Sequence, residues 1–277
     1  MHFPIFETME IPKTRTILFE SDEIESESLE RNVMVDFYLP TGVIHPSTMS
    51  LLLINDGQDL LKMDFKSILD ELYDQDLVHP ILSVGIHAGA DRRLEYGTAG
   101  WLDYKGRGSK AKAYTEFIFS SLLPHIREKF NVPEFRDKSF AGFSLGALSA
   151  LDIVWNHAGE FSRCGVFSGS LWWRTKDKTD PDYKDESDRI MHQQIMHGNY
   201  YPWLNFFFEC GGEDEGEDRN NNGVIDSIDD TLDLISALNE KGYGDDQIRY
   251  WLIEDGKHDL ATWARAIPEF LLWGWQK

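Results

Sequence analysis

The sequence predicts an α/β fold, a mostly parallel eight-stranded sheet with helices on both faces. Three observations predict it. Short β-branched or aromatic runs alternate with amphipathic stretches of helical period. The residues that close those runs include a serine, a histidine and several carboxylates, and in an open α/β sheet the carboxyl ends of strands are where ligands sit. A chain of 277 residues, 42% hydrophobic and 13% aromatic, can bury one sizeable core, so a single domain over 1–277 is expected.

The order starts with RTILFE (15–20) and RNVMVDFYL (31–39), which have no helix between them and so pair as a hairpin or meander. Strict alternation begins at Leu51. SLLLIND (50–56) leads to the helix DFKSILDELYDQ (64–75), and ILSVGIH (81–87) to the long helix AYTEFIFSSLLPHIREKF (113–130). KSFAGFS (138–144) runs straight into a helix after Ser144, and RCGVFSG (163–169) leads through the polar insertion RTKDKTDPDYKDESDR to DRIMHQQIMHG (188–198). LNFFFECG (204–211) precedes an acidic loop and the helix DDTLDLISALNEKG (229–242), and IRYWLIED (248–255) precedes the last helix, DLATWARAIPEFLLW (259–273).

Charge narrows the partners. With 27 Lys and Arg against 48 Asp and Glu, the formal net charge of -21 repels phosphate backbones and anionic bilayers, so neither nucleic acid nor membrane is expected as a partner. Cys164 and Cys210 are too few for a disulfide framework and fit no zinc spacing. The N-terminal stretch MHFPIFETMEIPKT has no basic n-region and no apolar h-region, which points to a cytoplasmic protein, or to an exported one whose leader has been removed. The longest aliphatic run, around SLLLI, is far short of a membrane span.

The chemistry gathers at strand ends. In SFAGFSLGALSA, Gly142, Ser144 and Gly146 have G-x-S-x-G spacing, with an apolar strand running in and a helix-compatible run leading out. That context stands Ser144 on a tight strand-to-helix turn, where glycines let neighbouring backbone approach. A serine hydroxyl needs a base to take its proton. Of nine histidines, His258 in IEDGKHDLATW lies after the last strand, where the serine, acid, histidine order places the base; surface or capping roles are expected for the others. The acid that fixes the imidazole tautomer should follow the seventh strand, where Glu213, Asp214 and Glu215 all stand near enough.

Taken together, NDGQ, RRLEY, GFSLGA, FSGSLWW, CGGEDE and GKHDLATW resemble the putative esterase family of α/β-hydrolases, which includes enterochelin esterases, S-formylglutathione hydrolases and feruloyl esterases. The resemblance runs from about VDFYLP to the last helix and implies the α/β-hydrolase fold. It favours Asp214 as the acid, because the family often spaces it G-x-x-D and Gly211 fits. It implies an oxyanion hole made of the Leu145 amide and, by position, the Gln58 amide. The family's Arg-x-x-Glu-Tyr run matches Arg92, Glu95 and Tyr96, which either line the pocket or brace the loop by an ion pair. Trp172 and Trp173 follow a strand end and form either an apolar acyl or aryl wall or packed structure. Ala147 departs from the usual family spelling, where a second glycine is common.

Part of the acidic loop follows a different pattern. DRNNNGVIDSID lies on the twelve-residue EF-hand spacing, with Asp218, Asn220 and Asn222 at positions one, three and five, Val224 offering its carbonyl at seven, and Asp226 and Asp229 at nine and twelve. Aspartate at twelve resembles dockerin loops. A structural Ca2+ is expected there, against a solvated acidic turn. No organic cofactor is implied. The expected activity is serine ester hydrolysis through an acyl-enzyme, on a small-molecule or polysaccharide-linked ester; its rivals are an acyltransferase on the same fold and a calcium-stabilised binding protein without turnover.

Overall fold

In the computed structural model, which describes residues 16–277, Ile17–Ser26 (β1) and Arg31–Pro40 (β2) form the antiparallel hairpin expected from the missing helix. The stretch MHFPIFETMEIPKT, with His2, lies outside the described residues, as does Arg15. β1 continues six residues past the predicted end, through SDEIES, because it is an edge strand: one face meets solvent, and polar side chains there cost nothing.

The remaining strands are Ser50–Asn55 (β3), Ile81–Ile86 (β4), Lys138–Phe143 (β5), Arg163–Phe167 (β6), Asn205–Glu213 (β7) and Ile248–Lys257 (β8). The sheet order is β1-β2-β4-β3-β5-β6-β7-β8. β2 pairs antiparallel with β4, and every pair from β4 to β8 is parallel. Every residue of β3 and β4 is buried, as near-continuous apolar runs at the centre of a parallel sheet require.

Helices cover both faces. Phe65–Asp74 (α1) and Leu260–Trp275 (α9) pack on one face over Leu52, Ile54, Phe143, Phe167 and Phe207. On the other lie Ala111–Phe117 and Leu123–Lys129, Leu145–Asn156, Ile190–His197 and Asp226–Lys241, over Leu51, Leu53, Phe140, Phe206 and Phe208. Numbered in chain order with the one-turn helices Arg92–Glu95 (α2) and Asp185–Asp188 (α6), these five are α3, α4, α5, α7 and α8. The stretch predicted as one helix over 113–130 is α3 and α4 joined by a π turn, Ile118–Leu122. Pro124 has no N–H to continue the ladder, and the Leu123 amide reaches back five residues to the Ile118 carbonyl. α8 ends at Gly242, whose φ of 116° glycine accepts without strain. Among the described residues no helix is long and apolar enough to cross a membrane.

Candidate active site

The parallel pairing points the carboxyl ends of β3, β5, β6, β7 and β8 at one edge of the sheet, and the predicted residues meet there. Between β5 and α5, Ser144 adopts φ 54° and ψ −120°, a conformation that costs an L-residue strain. Its amide donates to the Phe167 carbonyl at 2.9 Å, and its carbonyl accepts from Ala147 and Leu148, so the turn is pinned on both sides. A Cβ on Gly142 would lie 2.5 Å from the Gly146 carbonyl carbon, which is why the strand and the helix start can touch only with glycine there.

His258 lies between the last residue of β8 and the N-cap of α9, Asp259, whose carboxylate accepts from the Thr262 amide at 2.9 Å. Its ring stands edge-on to Trp263 with centroids 5.2 Å apart. Its Nε2 is 2.8 Å from Ser144 Oγ. Burial holds the imidazole pKa below its ordinary value; the Asp214 carboxylate opposes this and the Arg92 guanidinium reinforces it. The neutral ring can therefore accept the serine proton.

Of the three carboxylates left open by the sequence, Asp214 is the one whose oxygen faces His258. Its side chain is fully buried, with Oδ1 3.8 Å from His258 Nδ1. That is ion-pair range; a hydrogen bond needs the two to close by nearly 1 Å, as such contacts do when substrate binds. Burial pushes the Asp214 pKa up, while the Ser168 hydroxyl at 3.1 Å and the His258 charge pull it down. Glu213 is exposed on β7, within ion-pair range of Lys257, and Glu215 is exposed.

The Leu145 amide opens α5, and the Gln58 amide lies in the one-turn 3-10 helix Gly57–Asp59 after β3. Among the described residues neither amide has an acceptor. The Gln58 side chain is occupied, accepting from the Ala88 amide and donating to Asp56 and Asp59, which fixes the loop.

The Arg-x-x-Glu-Tyr run divides. Arg92 lies in the cavity wall, its Nε and Nη2 both 2.7 Å from the Asp56 carboxylate. Glu95 is buried and takes a two-point ion pair from Arg31 of β2, at 2.7 and 2.6 Å. Tyr96 does not meet the expectation of a substrate contact: it is fully buried, its hydroxyl accepting from the Asp56 amide at 3.2 Å. Trp173 is likewise a buried prop, packed against Gly97 and Gly108, and Trp172 is half-buried under the Arg107 guanidinium. The apolar wall belongs to other aromatics. A cavity of about 300 Å³ is lined by Ser144, His258, Arg92, Gln58, Phe143 and Trp263, together with Asp56 and Asp59.

Two supports lie inside the quoted motifs NDGQ and FSGSLWW, which do not show what they hold. Asn55 donates to the Gly146 carbonyl at 2.7 Å and accepts from the Tyr114 hydroxyl, locking β3 to the start of α5. Ser168, at a φ of 43°, accepts from Trp263 Nε1 at 2.9 Å beneath Asp214. The visible signs were their position at strand ends and their place in those motifs.

The family model described as "Putative esterase" matches residues 26–273. The chain belongs to this family. Solved structures with the same fold include a ferulic acid esterase, 17% identical with a TM-score of 0.66 over 94% of this chain and 97% of that one. The enterobactin esterase FES from Shigella flexneri, with enterobactin present, is 19% identical with a TM-score of 0.71 over 97% of this chain and 61% of that one. An IroE-like serine hydrolase from Shewanella oneidensis is 17% identical with a TM-score of 0.69, over 93% and 79%. No curated protein matches the chain. The fold is thus that of the α/β-hydrolase esterases, and the family acts on esters.

The acidic loop serves several ends. Asp218 accepts from the Asn222 and Gly223 amides at 3.1 and 2.9 Å, and Asn220 and Asn222 both reach Asp229 Oδ2 at 2.9 Å. Asp226, predicted at position nine of a cation loop, turns away: it accepts from the Arg219 amide at 2.7 Å and pairs with the Arg219 guanidinium. The Val224 amide donates to Asn222 Oδ1. Among the described residues no group of three or more His, Cys, Asp or Glu is placed to hold a metal ion.

Proposed function

We propose that the protein is a serine carboxylic ester hydrolase. The observation that carries this is the 2.8 Å contact between His258 Nε2 and the hydroxyl of Ser144, on a backbone strained into the elbow conformation. His258 takes the Ser144 proton as Oγ attacks the ester carbonyl, and Asp214 holds the tautomer and stabilises the imidazolium. The Leu145 and Gln58 amides bind the oxyanion. The imidazolium protonates the departing alcohol, and water, activated by the same base, releases the acid from Ser144.

The cavity favours an aromatic acyl group. Phe143 and Trp263 stack on each other at 5.2 Å and offer ring surface, while Arg92, tied to Asp56 through Nε and Nη2, has an Nη1 with no acceptor among the described residues, available to a phenolic oxygen. The ferulic acid and enterobactin esterases with the same fold are consistent with that class. A panel of acetyl, butyryl, feruloyl and dihydroxybenzoyl esters, read by burst and steady state, tests the reading. Ser144→Ala should abolish the burst and Asp214→Asn should lower kcat by at least about 100-fold, with Glu213→Gln and Glu215→Gln close to wild type. A burst that survives Ser144→Ala would refute the nucleophile.

We also propose a structural Ca2+ held by Asp218, Asn220, Asn222 and Asp229, which already converge on one another. Two carboxylates and two carboxamides make a weak oxygen site, of about 10⁻⁴ to 10⁻³ M affinity. Tm should rise by a few degrees between excess EDTA and about 10 mM CaCl2; equal values with no heat of binding would remove the ion.

A further inference from the structure

A second buried carboxyl lies behind the proposed acid. Glu209, on β7, is fully buried, with Oε2 3.4 Å from Ser168 Oγ and Oε1 without a partner among the described residues. The same Ser168 oxygen is 3.1 Å from Asp214 Oδ1 and accepts from Trp263 Nε1 at 2.9 Å. A hydroxyl has one proton and two lone pairs. If both carboxyls were ionised, two buried charges would compete for that one proton, with one buried lone pair of Ser168 unused. With one carboxyl protonated the count at Ser168 closes: Trp263 and the carboxyl O–H donate to Ser168, and Ser168 donates to the remaining carboxylate, with Glu209 Oε1 and Asp214 Oδ2 left without a partner among the described residues. Asp214 faces His258, which favours its charge, whereas Glu209, two residues along β7 from Phe207, lies on the sheet face that α9 covers.

We infer that Glu209 carries this proton and, through Ser168, positions Asp214 against His258. It is a positioning residue and touches neither substrate nor the reacting atoms. Its surroundings agree. Burial first, then the charge of Asp214, push the Glu209 pKa up to about 8, while the Ser168 contacts and Arg265, on exposed turns of α9, pull the other way. Tyr250 of β8 and Cys210 of β7, the other titratable groups that feel Glu209, are held neutral by burial. His258 lies beyond Asp214. When Glu209 ionises, Ser168 loses a donor and a second negative charge appears beside Asp214, so the carboxylate pair separates and Asp214 leaves its place by His258.

The inference rests on the serine-esterase reading and supplies that site with an alkaline limit. In wild type, kcat/KM should fall about tenfold as pH rises from about 7 to about 10. Glu209→Gln offers a donor that does not ionise; it should keep the pH 7 rate within about threefold and lose the alkaline limb. Ser168→Ala should lower kcat about tenfold with KM unchanged, because it cuts the link. An alkaline limb that persists in Glu209→Gln, or a Glu209→Gln effect confined to Tm, would overturn the proposal. Infrared difference spectra between neutral and alkaline pH provide an arm independent of turnover. A protonated-carboxyl band present at neutral pH and missing from Glu209→Gln supports the assignment; its absence from wild type overturns it, whatever Ser144→Ala shows about the nucleophile.

Discussion

A methyl group on Gly146 would come within 2.7 Å of Asp56 Oδ2 and 3.0 Å of Asn55 Cβ. The constraint is space, because this glycine has an ordinary helical backbone at the start of α5. Asp56 holds Arg92 in the cavity wall, so the collision is transmitted to the substrate side. Gly146→Ala is expected to cost about 1–3 kcal/mol of stability, by urea unfolding, and to lower kcat/KM at least tenfold or so on an activated ester. Gly159→Ala, with nothing within 4 Å of its Cβ, is the control and should stay within about 0.5 kcal/mol of wild type. A Gly146→Ala enzyme as stable and active as the control would show that the loop absorbs the methyl group. This site was legible because its constraint is local: the serine, its two glycines and the strand before them are neighbours in sequence. Asn55, Ser168 and Glu209 were not, because each acts on a partner more than forty positions away that only the sheet register brings near. For Trp172 and Trp173 the sequence left wall and packed structure open for the converse reason: adjacency to a strand end says nothing about which way a ring turns.

At the scale of elements, the acidic stretch after β7 and the insertion between β6 and α7 explain each other. Arg219 reaches Asp185 at 2.9 Å, Asp230 at 2.8 Å and Asp226 at 3.4 Å, and Arg189 reaches Asp230 and Asp233 at 2.8 Å. Both guanidinium groups are nearly buried, as are Asp226 and Asp230, while Asp185 is part-exposed and Asp233 exposed, so the network joins α6, α7, the loop and α8 around a dry centre with a wet rim. Read along the chain, the loop was a run of carboxylates with a cation spacing; Arg219 stands inside it, but Arg189 and Asp185, which complete the network, lie in another segment. Removing Arg219 takes a cation from the nearly buried Asp226 and Asp230, leaving Asp230 to Arg189 and Asp226 to Lys178 at 3.9 Å. Arg219→Met is therefore expected to cost about 3 kcal/mol, lowering the urea midpoint, whereas Arg265→Met, whose exposed pair with Asp255 is solvated, should change it by less than about 1 kcal/mol. Equal small effects would mean that the network is wet and its pairs independent. The order of strands and helices was legible almost throughout, since period and length are written into each segment. The π turn at Ile118–Leu122 was not, because Pro124 near a helix start and Pro124 within a longer helix read alike.

For the whole molecule, the net charge of -21 sets a field that no single pair describes. Carboxylates repel one another across the folded surface more closely than in the unfolded chain, and salt screens that repulsion with a Debye length of about 10 Å at 0.1 M. The buried arginine network is screened much less. Tm should therefore rise as NaCl goes from about 0.01 to about 0.5 M, whereas a fold dominated by exposed ion pairs would weaken. The same field acts on substrates. A carboxylate-bearing ester approaches against it and should gain kcat/KM with ionic strength, while a neutral ester of the same acid should not change. Among the described residues the one cation in the cavity wall is Arg92, already answered by Asp56 at two points, so its attraction for an anion is largely cancelled before the ester arrives. If kcat/KM for the anionic ester falls with salt instead, Arg92 outweighs the global charge at the cavity mouth, and Arg92→Gln should then erase the dependence.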